Sequence, residues 1–335
     1  MKRTLKSLST LCLVLALICS MCSFGVSAVA EEVETLARES DSMSSTYGAT
    51  DVADAADSMG ADGEQTSAYS TGRNVISLKT VPTLNASAYQ SATVTLNGKS
   101  VGVNAISING TVYIPLRAFI NATTNMSVGY NSRTRTLSVS GGGLTLTVTD
   151  GSHIVYANGR VLFSMTPSVI MTNGRIYVPI QPIAKALGLS LTESTGRASL
   201  WGSVRPLASA DSFYREDAVY WLSRIISAES RGEVLHGQIA VGNVVLNRVD
   251  SPLYPNTIWG VIFDKKYGVQ FSPILDGTIY NTPSANSILA AKICLDGFSI
   301  SDETLFFLAP KYAQSSWIPR TRTYEFTIGN HDFYS

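Results

Sequence analysis

The chain has 335 residues, of which 45% are hydrophobic and 15% are charged, and its formal net charge is zero. This length is sufficient for two domains with cores of their own. The even balance of charges gives no reason to expect a nucleic-acid partner. Four cysteines are too few for the usual small extracellular scaffold that is held together by disulfides.

The first predicted element is a secretory signal over residues 1–30. Lys2, Arg3 and Lys6 precede an apolar run at residues 11–18, and residues 28–30 read Ala-Val-Ala, which is typical of a cleavage site. The run is too short to span a bilayer as a mature helix. We therefore expect a secreted protein, extracellular or associated with the cell wall, that has no stable membrane anchor.

Only Cys294 remains once this signal is removed, because the other three cysteines lie within it. A single thiol cannot form an internal disulfide. Cys294 lies in an apolar run predicted to be helical, and we interpret it as a small buried hydrophobic residue. Secretion without disulfides is more typical of an exported bacterial enzyme than of a disulfide-rich domain.

Residues 31–90 are predicted to form a disordered acidic linker. The segment is rich in Ser, Ala, Asp, Thr and Gly and poor in large apolar residues, so it cannot bury enough surface to fold. Residues 31–85 carry ten acids and three bases, whereas residues 86–202 carry eight bases and two acids. A basic module therefore follows an acidic one in a chain that is neutral overall.

The basic module, residues 91–203, contains two copies of one pattern. Residues 109–116, NGTVYIPL, match residues 173–180, NGRIYVPI, at an offset of 64. Each copy predicts a hairpin with an Asn-Gly turn, a second Asn-Gly turn, a strand that ends at proline, a short helix and a closing strand. The helices are predicted at residues 116–123 and 180–187.

This duplicated pattern resembles the copper amine oxidase N-terminal-like stalk domain found on exported proteins of Gram-positive bacteria. Despite the family's name, the resemblance implies neither copper nor oxidase activity, because the segment has one histidine, His153. It implies a spacer or a wall-attachment module. The positive charge could hold anionic wall polymers by non-specific electrostatics, and the alternative is a passive scaffold.

Residues 211–335 are predicted to be helical first and strand-like last. A helix that begins at Asp211 or Ser212 should extend to about residue 230. Further helices are predicted at residues 235–249, 256–263 and 282–297, the last begun by Thr282-Pro283, and strands at residues 304–308 and 324–328. The chain is thus predicted to be α+β, with a β-rich duplicated domain before a mixed one.

Glu229 is the strongest candidate for a catalytic residue. It follows Leu222, Ile225 and Ile226 at helical spacing, so its carboxylate lies on the face that the helix buries. Burial disfavours the charged form of a carboxylate and raises its pKa, which makes it a proton donor near neutral pH. The alternative is a buried glutamate paired with an arginine.

A series of ordered sequence blocks in this segment resembles the cell wall hydrolase family typified by the spore cortex-lytic enzyme SleB. Among them are residues 228–233, AESRGE, residues 237–249, GQIAVGNVVLNRV, and residues 328–334, IGNHDFY. The resemblance implies a lysozyme-like fold that acts on peptidoglycan glycan strands, with Glu229 as the catalytic acid. One departure is Leu308-Ala309-Pro310, because the family usually has Asn before this proline.

Glu233 and Asp276 are the candidate second carboxylates. Glu233 follows a break at Gly232 and could simply favour the N-terminus of the next helix, and Asp276 could simply be an Asp-Gly turn residue. Without a secure second carboxylate, a one-acid mechanism is attractive. Glu229 would protonate the leaving oxygen and then deprotonate the C6 hydroxyl of muramic acid, giving a 1,6-anhydro end, as in lytic transglycosylases.

The predicted glycan contacts are aromatic and polar residues of the later loops and strands, because sugar sites combine aromatic platforms with hydrogen-bonding neighbours. They are Gln270, Phe271, Ser272, Tyr280, Trp317 and Tyr324. No cofactor or metal is predicted, since Glu229, Glu233 and His236 lack the two-histidine helical spacing of a zinc site.

These observations predict an exported peptidoglycan glycosidase that cleaves the bond between N-acetylmuramic acid (MurNAc) and N-acetylglucosamine (GlcNAc). We expect a lytic transglycosylase with a single catalytic glutamate. The alternatives are a muramidase with two carboxylates and a non-catalytic protein that only binds the wall.

Overall fold

The computed structural model describes Asn74 and residues 76–78, 89–170, 174–266, 268–313 and 315–335. The predicted signal segment lies outside these residues, and so does most of the predicted acidic linker. The described residues all belong to one compact unit, and their fold is α+β with a β-rich first part, as predicted.

The strands of the duplicated segment form two sheets. In chain order they are β1 (Gln90–Leu96), β2 (Lys99–Ser100), β3 (Ala105–Ile108), β4 (Thr111–Pro115), β5 (Ser127–Asn131), β6 (Thr136–Gly141), β7 (Leu144–Thr149), β8 (Ile154–Ala157), β9 (Arg160–Phe163), β10 (Val169–Ile170), β11 (Ile176–Pro179), β12 (Ser190–Ser194) and β13 (Arg197–Trp201). One sheet has the order β10-β11-β4-β3-β1-β13-β12 with β2 beside β1, and the other is the meander β5 to β9.

The two copies of the pattern meet where β4 pairs with β11. Ile114 pairs with Val178, its equivalent in the other copy, and the neighbouring residues pair crosswise. This register is that of an approximate two-fold axis between the copies. The strands end at Pro115 and Pro179, after which the helices α1 (Leu116–Thr123) and α2 (Ile180–Ala186) begin, close to their predicted positions.

Three of the four Asn-Gly turns adopt the left-handed backbone that the sequence predicts. Asn97, Asn109 and Asn158 have φ of 51°, 50° and 51°, and the glycine after each also has positive φ. Asparagine and glycine tolerate this conformation, which matches the twist of a two-residue hairpin. The fourth turn includes Asn173, which lies outside the described residues.

The second segment begins with helices. They are α3 (Ala210–Phe213), α4 (Glu216–Ser230), α5 (Leu235–Asp250), α6 (Ile258–Ile262), α7 (Pro273–Asp276), a 3₁₀ turn (Thr278–Tyr280), α8 (Ala285–Leu295) and α9 (Trp317–Thr321). The helices α4, α5 and α8 pack against one another. Gly242 permits their close approach, because a Cβ there would lie 2.7 Å from Cys294 Sγ and 2.8 Å from Ile226 Cδ1.

Two predicted helix boundaries are wrong. The helix expected from residue 211 to residue 230 is broken before α4, because Tyr214 is extended and its hydroxyl is engaged by Asp296 and by Val161 N. The helix α8 begins after Ser284 rather than at Thr282-Pro283. The Ser284 hydroxyl accepts a hydrogen bond from Ser287 N at 3.1 Å, which caps the helix.

A three-stranded sheet completes the segment. Its strands β14 (Phe306–Leu308), β15 (Tyr324–Ile328) and β16 (His331–Tyr334) have the order β14-β16-β15. Residues from the predicted linker lie along β15, since Ile76 N donates to Thr327 O at 3.0 Å and Thr327 N donates to Asn74 O at 2.9 Å. This part of the predicted linker therefore extends the sheet.

A buried polar cluster joins the duplicated segment to the second segment. Arg160 of β9 donates to Asp296 Oδ1 from Nε at 3.0 Å and from Nη2 at 2.6 Å, and both side chains are at most 5% exposed. Lys185 and Tyr214 also bind Asp296. Beside the cluster, Phe163 packs edge-on against Phe298, with ring centroids 4.8 Å apart.

Candidate active site

Glu229 lies in the last turn of α4, at the end of the buried face of that helix. Leu222, Ile225 and Ile226 are fully buried, whereas Glu229 is half-buried. The sequence periodicity therefore predicted the position of this carboxyl. It lies at the edge of the core, where a carboxyl is partly dehydrated and still open to a ligand.

Burial is the main influence on the proton affinity of Glu229. It raises the pKa of the carboxyl, and the negative charge of Asp276 raises it further, while the positive charge of Arg248 opposes both, which leaves the pKa at about 7. No ion pair within 4.0 Å involves Glu229 among the described residues. A carboxyl with this pKa can donate a proton near neutral pH.

Asp276 has the opposite environment. The carboxylate is exposed at the end of α7 and accepts hydrogen bonds from Thr278 N at 2.9 Å and Thr278 Oγ1 at 2.6 Å. These donors lower the pKa of Asp276, because they stabilise the charged form. Asp276 is therefore ionised over the pH range in which Glu229 exchanges its proton, which is why its charge acts on Glu229.

Arg248 is a site residue that sequence reasoning did not identify. Its guanidinium is buried in α5, where Nε donates to Leu305 O at 2.8 Å and Nη1 has no hydrogen-bond partner within the described residues. The rings of Tyr254, Phe271 and Phe306 surround it, with centroids 5.0, 5.2 and 5.5 Å from Cζ. The available signal was spacing, because Arg248 follows Val244 and Val245 by four and three residues and so lies on the same buried face of α5.

Glu233 is held by the turn between β15 and β16. Its carboxylate accepts hydrogen bonds from Asn330 N at 3.0 Å and Asn330 Nδ2 at 2.9 Å, and it lies 3.6 Å from His331 Nδ1. Gly329 leaves room for it, because a Cβ there would lie 2.0 Å from Glu233 Oε2. These contacts connect α5 to the C-terminal hairpin, and they occupy Glu233 with structural hydrogen bonds.

The predicted contacts at residues 270–272 differ in accessibility. Phe271 is only 2% exposed, and its ring packs under Arg248, so it supports the site from within. Ser272 is exposed and directly precedes α7. Gln270 is half-buried, and its Nε2 donates to Gly268 O at 3.1 Å.

The remaining predicted contacts lie on three different elements of the segment. Tyr280 is 59% exposed, two residues after Thr278. Trp317 is 48% exposed and packs edge-on against Phe306, which is one of the three rings around Arg248. Tyr324 is half-buried in β15, and its hydroxyl lies 2.8 Å from Thr327 Oγ1, so no described contact connects it to Glu229.

The described residues contain neither a cluster of metal ligands nor a helix that could span a membrane. Within them, no group of three or more His, Cys, Asp or Glu side chains is arranged to hold a metal ion. None of the described helices combines the length and the apolar character needed to cross a membrane.

Two known families match the chain. Residues 232–334 match the Cell Wall Hydrolase family, and residues 95–199 match the copper amine oxidase N-terminal domain. The first match begins three residues after Glu229 and does not include it. A role for this carboxyl is therefore inferred from its environment.

The spore cortex-lytic enzyme of Bacillus subtilis is 38% identical over 115 residues, which are 33% of this chain and 35% of that protein. The enzyme of the same name from Bacillus cereus is 37% identical over 120 residues, 36% of this chain and 45% of that protein. The chain thus matches less than half the length of these relatives.

Among solved structures, the catalytic domain of the germination-specific lytic transglycosylase SleB from Bacillus anthracis is 36% identical. The match covers 36% of this chain and 97% of that one, with a TM-score of 0.34. The catalytic domain of the Bacillus cereus SleB protein is also 36% identical, covering 36% of this chain and 92% of that one, with a TM-score of 0.33. Residues 232–334 are thus similar to cell wall hydrolases, and residues 95–199 are similar to copper amine oxidase N-terminal domains.

Proposed function

We propose that the chain is an exported peptidoglycan glycosidase that cleaves the glycan strand between MurNAc and GlcNAc, with Glu229 as the proton donor. The observation that carries this proposal is the half-buried Glu229 carboxyl with its pKa raised to about 7. Cleavage of a glycosidic bond requires protonation of the leaving oxygen, and this carboxyl retains its proton near neutral pH. The names of the relatives, spore cortex-lytic enzymes, support the same class of substrate.

The main form of the reaction is that of a lytic transglycosylase. Glu229 gives its proton to the leaving oxygen as the bond from C1 to that oxygen breaks. The resulting carboxylate takes the proton of the C6 hydroxyl of muramic acid, whose oxygen then bonds to C1 and closes a 1,6-anhydro ring. Glu229 ends protonated and no water is consumed. The nearby charge of Arg248 favours the carboxylate between these two proton transfers.

The ionised Asp276 supports a second form, a muramidase with two carboxylates. Its charge acts on Glu229, and environments that separate the proton affinities of two carboxyls are typical of an acid paired with an ionised partner. Asp276 would stabilise the positive charge that develops at the sugar ring, and water would complete the reaction. The product would then have an ordinary reducing end.

Mass spectrometry of fragments released from purified peptidoglycan tests the proposal and separates its two forms, because a 1,6-anhydro end contains one water fewer than a reducing end. Anhydro ends would support the transglycosylase form, and reducing ends would support the muramidase form. If folded protein binds the wall but releases no glycan fragment, the non-catalytic alternative is correct and the proposed function is wrong.

Attachment to anionic wall polymers remains a separate proposal for the copper amine oxidase N-terminal domain. Eight basic residues lie in residues 86–202, but Arg160 and Lys185 bind Asp296 and are directed into the molecule. Any attraction through the other six would weaken as salt rises, since exposed charges are screened. Retention on purified wall at increasing salt is the measurement that checks this.

A further inference from the structure

Four aromatic side chains form a continuous row on the second segment. Trp259 stacks on Phe263 with ring centroids 5.0 Å apart, and Phe263 meets Trp221 edge-on at 5.2 Å. Trp221 in turn meets Tyr280 edge-on at 6.4 Å. We call these four residues the aromatic row. Only Tyr280 among them was predicted to contact glycan.

The ends of the aromatic row are open to solvent. Trp259 is 55% exposed and Tyr280 is 59% exposed, whereas Phe263 and Trp221 are half-buried between them. Within the described part of the chain, the Trp259 indole N–H and the Tyr280 hydroxyl make no hydrogen bond. An aromatic face with a free polar group at its rim is the combination that binds a sugar ring, whose C–H groups face the ring and whose hydroxyls need partners.

The aromatic row is connected to Glu229 by two short paths. Trp221 and Glu229 lie on the same helix, α4, eight residues apart, which is about 12 Å along the axis. At the other side, Asp276 acts on the pKa of Glu229 and is bound to Thr278, in the 3₁₀ turn that ends at Tyr280. The row therefore begins at Tyr280, four residues after Asp276, and ends at Trp259 on α6.

We propose that the aromatic row binds the glycan strand beyond the bond that is cleaved, with Trp259 as the outermost contact. This inference rests on the proposed function, because a polymer cut at Glu229 must continue along the surface on either side. The occupant is a stretch of N-acetylated amino sugars, whose C–H faces and acetamido groups match a row that presents rings and neutral polar groups. Its consequence is a preference for long strands over short ones.

The test compares Trp259→Ala with the wild type on soluble glycan strands freed of stem peptides and separated by length. The KM for long strands should rise roughly two- to tenfold, the range expected for loss of one aromatic contact, while kcat and the KM for short strands stay unchanged. Trp201→Ala is the matched control, because Trp201 is also about half exposed, at 51%, but lies in β13. Thermal unfolding of each variant checks that the fold is retained.

A KM for long strands that is unchanged in Trp259→Ala, or that rises equally for short strands, would overturn the inference while leaving the proposed function intact. If the wild type cleaves nothing, the proposed function fails. Binding of the full chain to immobilised strands then tests the inference, because Trp259→Ala should weaken binding to long strands and leave binding to short strands unchanged. The wild type could also self-associate through the row. If Trp259→Ala abolishes self-association without changing KM, the row binds a second copy of the chain and the inference is wrong.

Discussion

The ionised carboxylate of Asp276 raises the pKa of Glu229, whereas hydrogen bonds from Thr278 lower the pKa of Asp276 itself. The two groups thus carry opposite preferences for a proton. Asp276 loses its proton first, so at the pKa of Asp276 the Glu229 carboxyl is still neutral and exerts no charge. At the pKa of Glu229 the charge of Asp276 is fully present.

Asp276→Asn should move the pH profile of kcat/KM. The proposed mechanism requires the protonated form of Glu229, so activity should fall as pH rises through its pKa of about 7. Removal of the negative charge lowers that pKa, so the fall should occur at lower pH than in the wild type. The profile on soluble glycan measures this, and an unmoved fall in activity would show that Asp276 does not act on Glu229.

Arg248→Met should move the same profile in the opposite direction. The positive charge of Arg248 lowers the pKa of Glu229, so its removal should raise that pKa and extend activity to higher pH. Arg248→Lys is the control, because it retains the charge while it loses the hydrogen bond from Nε to Leu305 O. If both variants lose activity equally at every pH, Arg248 supports only the fold.

Glu233→Gln should reduce stability more than turnover. The carboxylate accepts two hydrogen bonds from Asn330, and the amide can accept only one of them, so we expect a loss of about 1–3 kcal/mol in the free energy of unfolding. Urea unfolding and kcat on soluble glycan measure the two effects separately. A fall in kcat as large as that of Glu229→Gln, with stability unchanged, would make Glu233 part of the catalytic pair.

Asp296→Asn should destabilise the whole described unit. The substitution removes one charge of a buried pair and leaves Arg160 uncompensated, which costs about 3–5 kcal/mol. Asp217→Asn is the control, because Asp217 and Arg215 form an exposed pair whose loss should change the stability little.

The contacts between the two segments should also affect the stability of the second segment when it is expressed alone. Without residues 31–202 it would lose Arg160 and the packing of Phe163 on Phe298, so we expect it to unfold at a lower temperature than the full chain. Equal unfolding temperatures for the two proteins would show that the two domains are independent in stability.

The features that sequence predicted are local. The Asn-Gly turns follow from backbone conformations open to those two residues, and the position of Glu229 follows from the spacing of Leu222, Ile225 and Ile226 along one helix. Both depend on neighbours within a few residues. Such patterns can be read without knowing the rest of the fold.

The features that sequence did not predict depend on distant contacts. The cage of Arg248 combines rings from Tyr254, Phe271 and Phe306, and Asp296 binds an arginine 136 positions earlier in the chain. Nothing in the residues next to Asp296 indicates that pairing. The start of α8 was misplaced for a different, local reason, because two adjacent capping sequences compete and the hydrogen bond from Ser287 to Ser284 is the one that forms.

The most direct test of the role of Glu229 is the rate at which Glu229→Gln releases glycan fragments from purified peptidoglycan, compared with the wild type and Glu233→Gln. The amide retains the shape of the side chain and lacks the acidic proton, so the rate should fall by about 10²–10⁴-fold. The variant should still bind glycan. It should also be more stable than the wild type above neutral pH, because the wild type must ionise a buried carboxyl there. A folded Glu229→Gln protein that releases fragments at the wild-type rate would contradict the account.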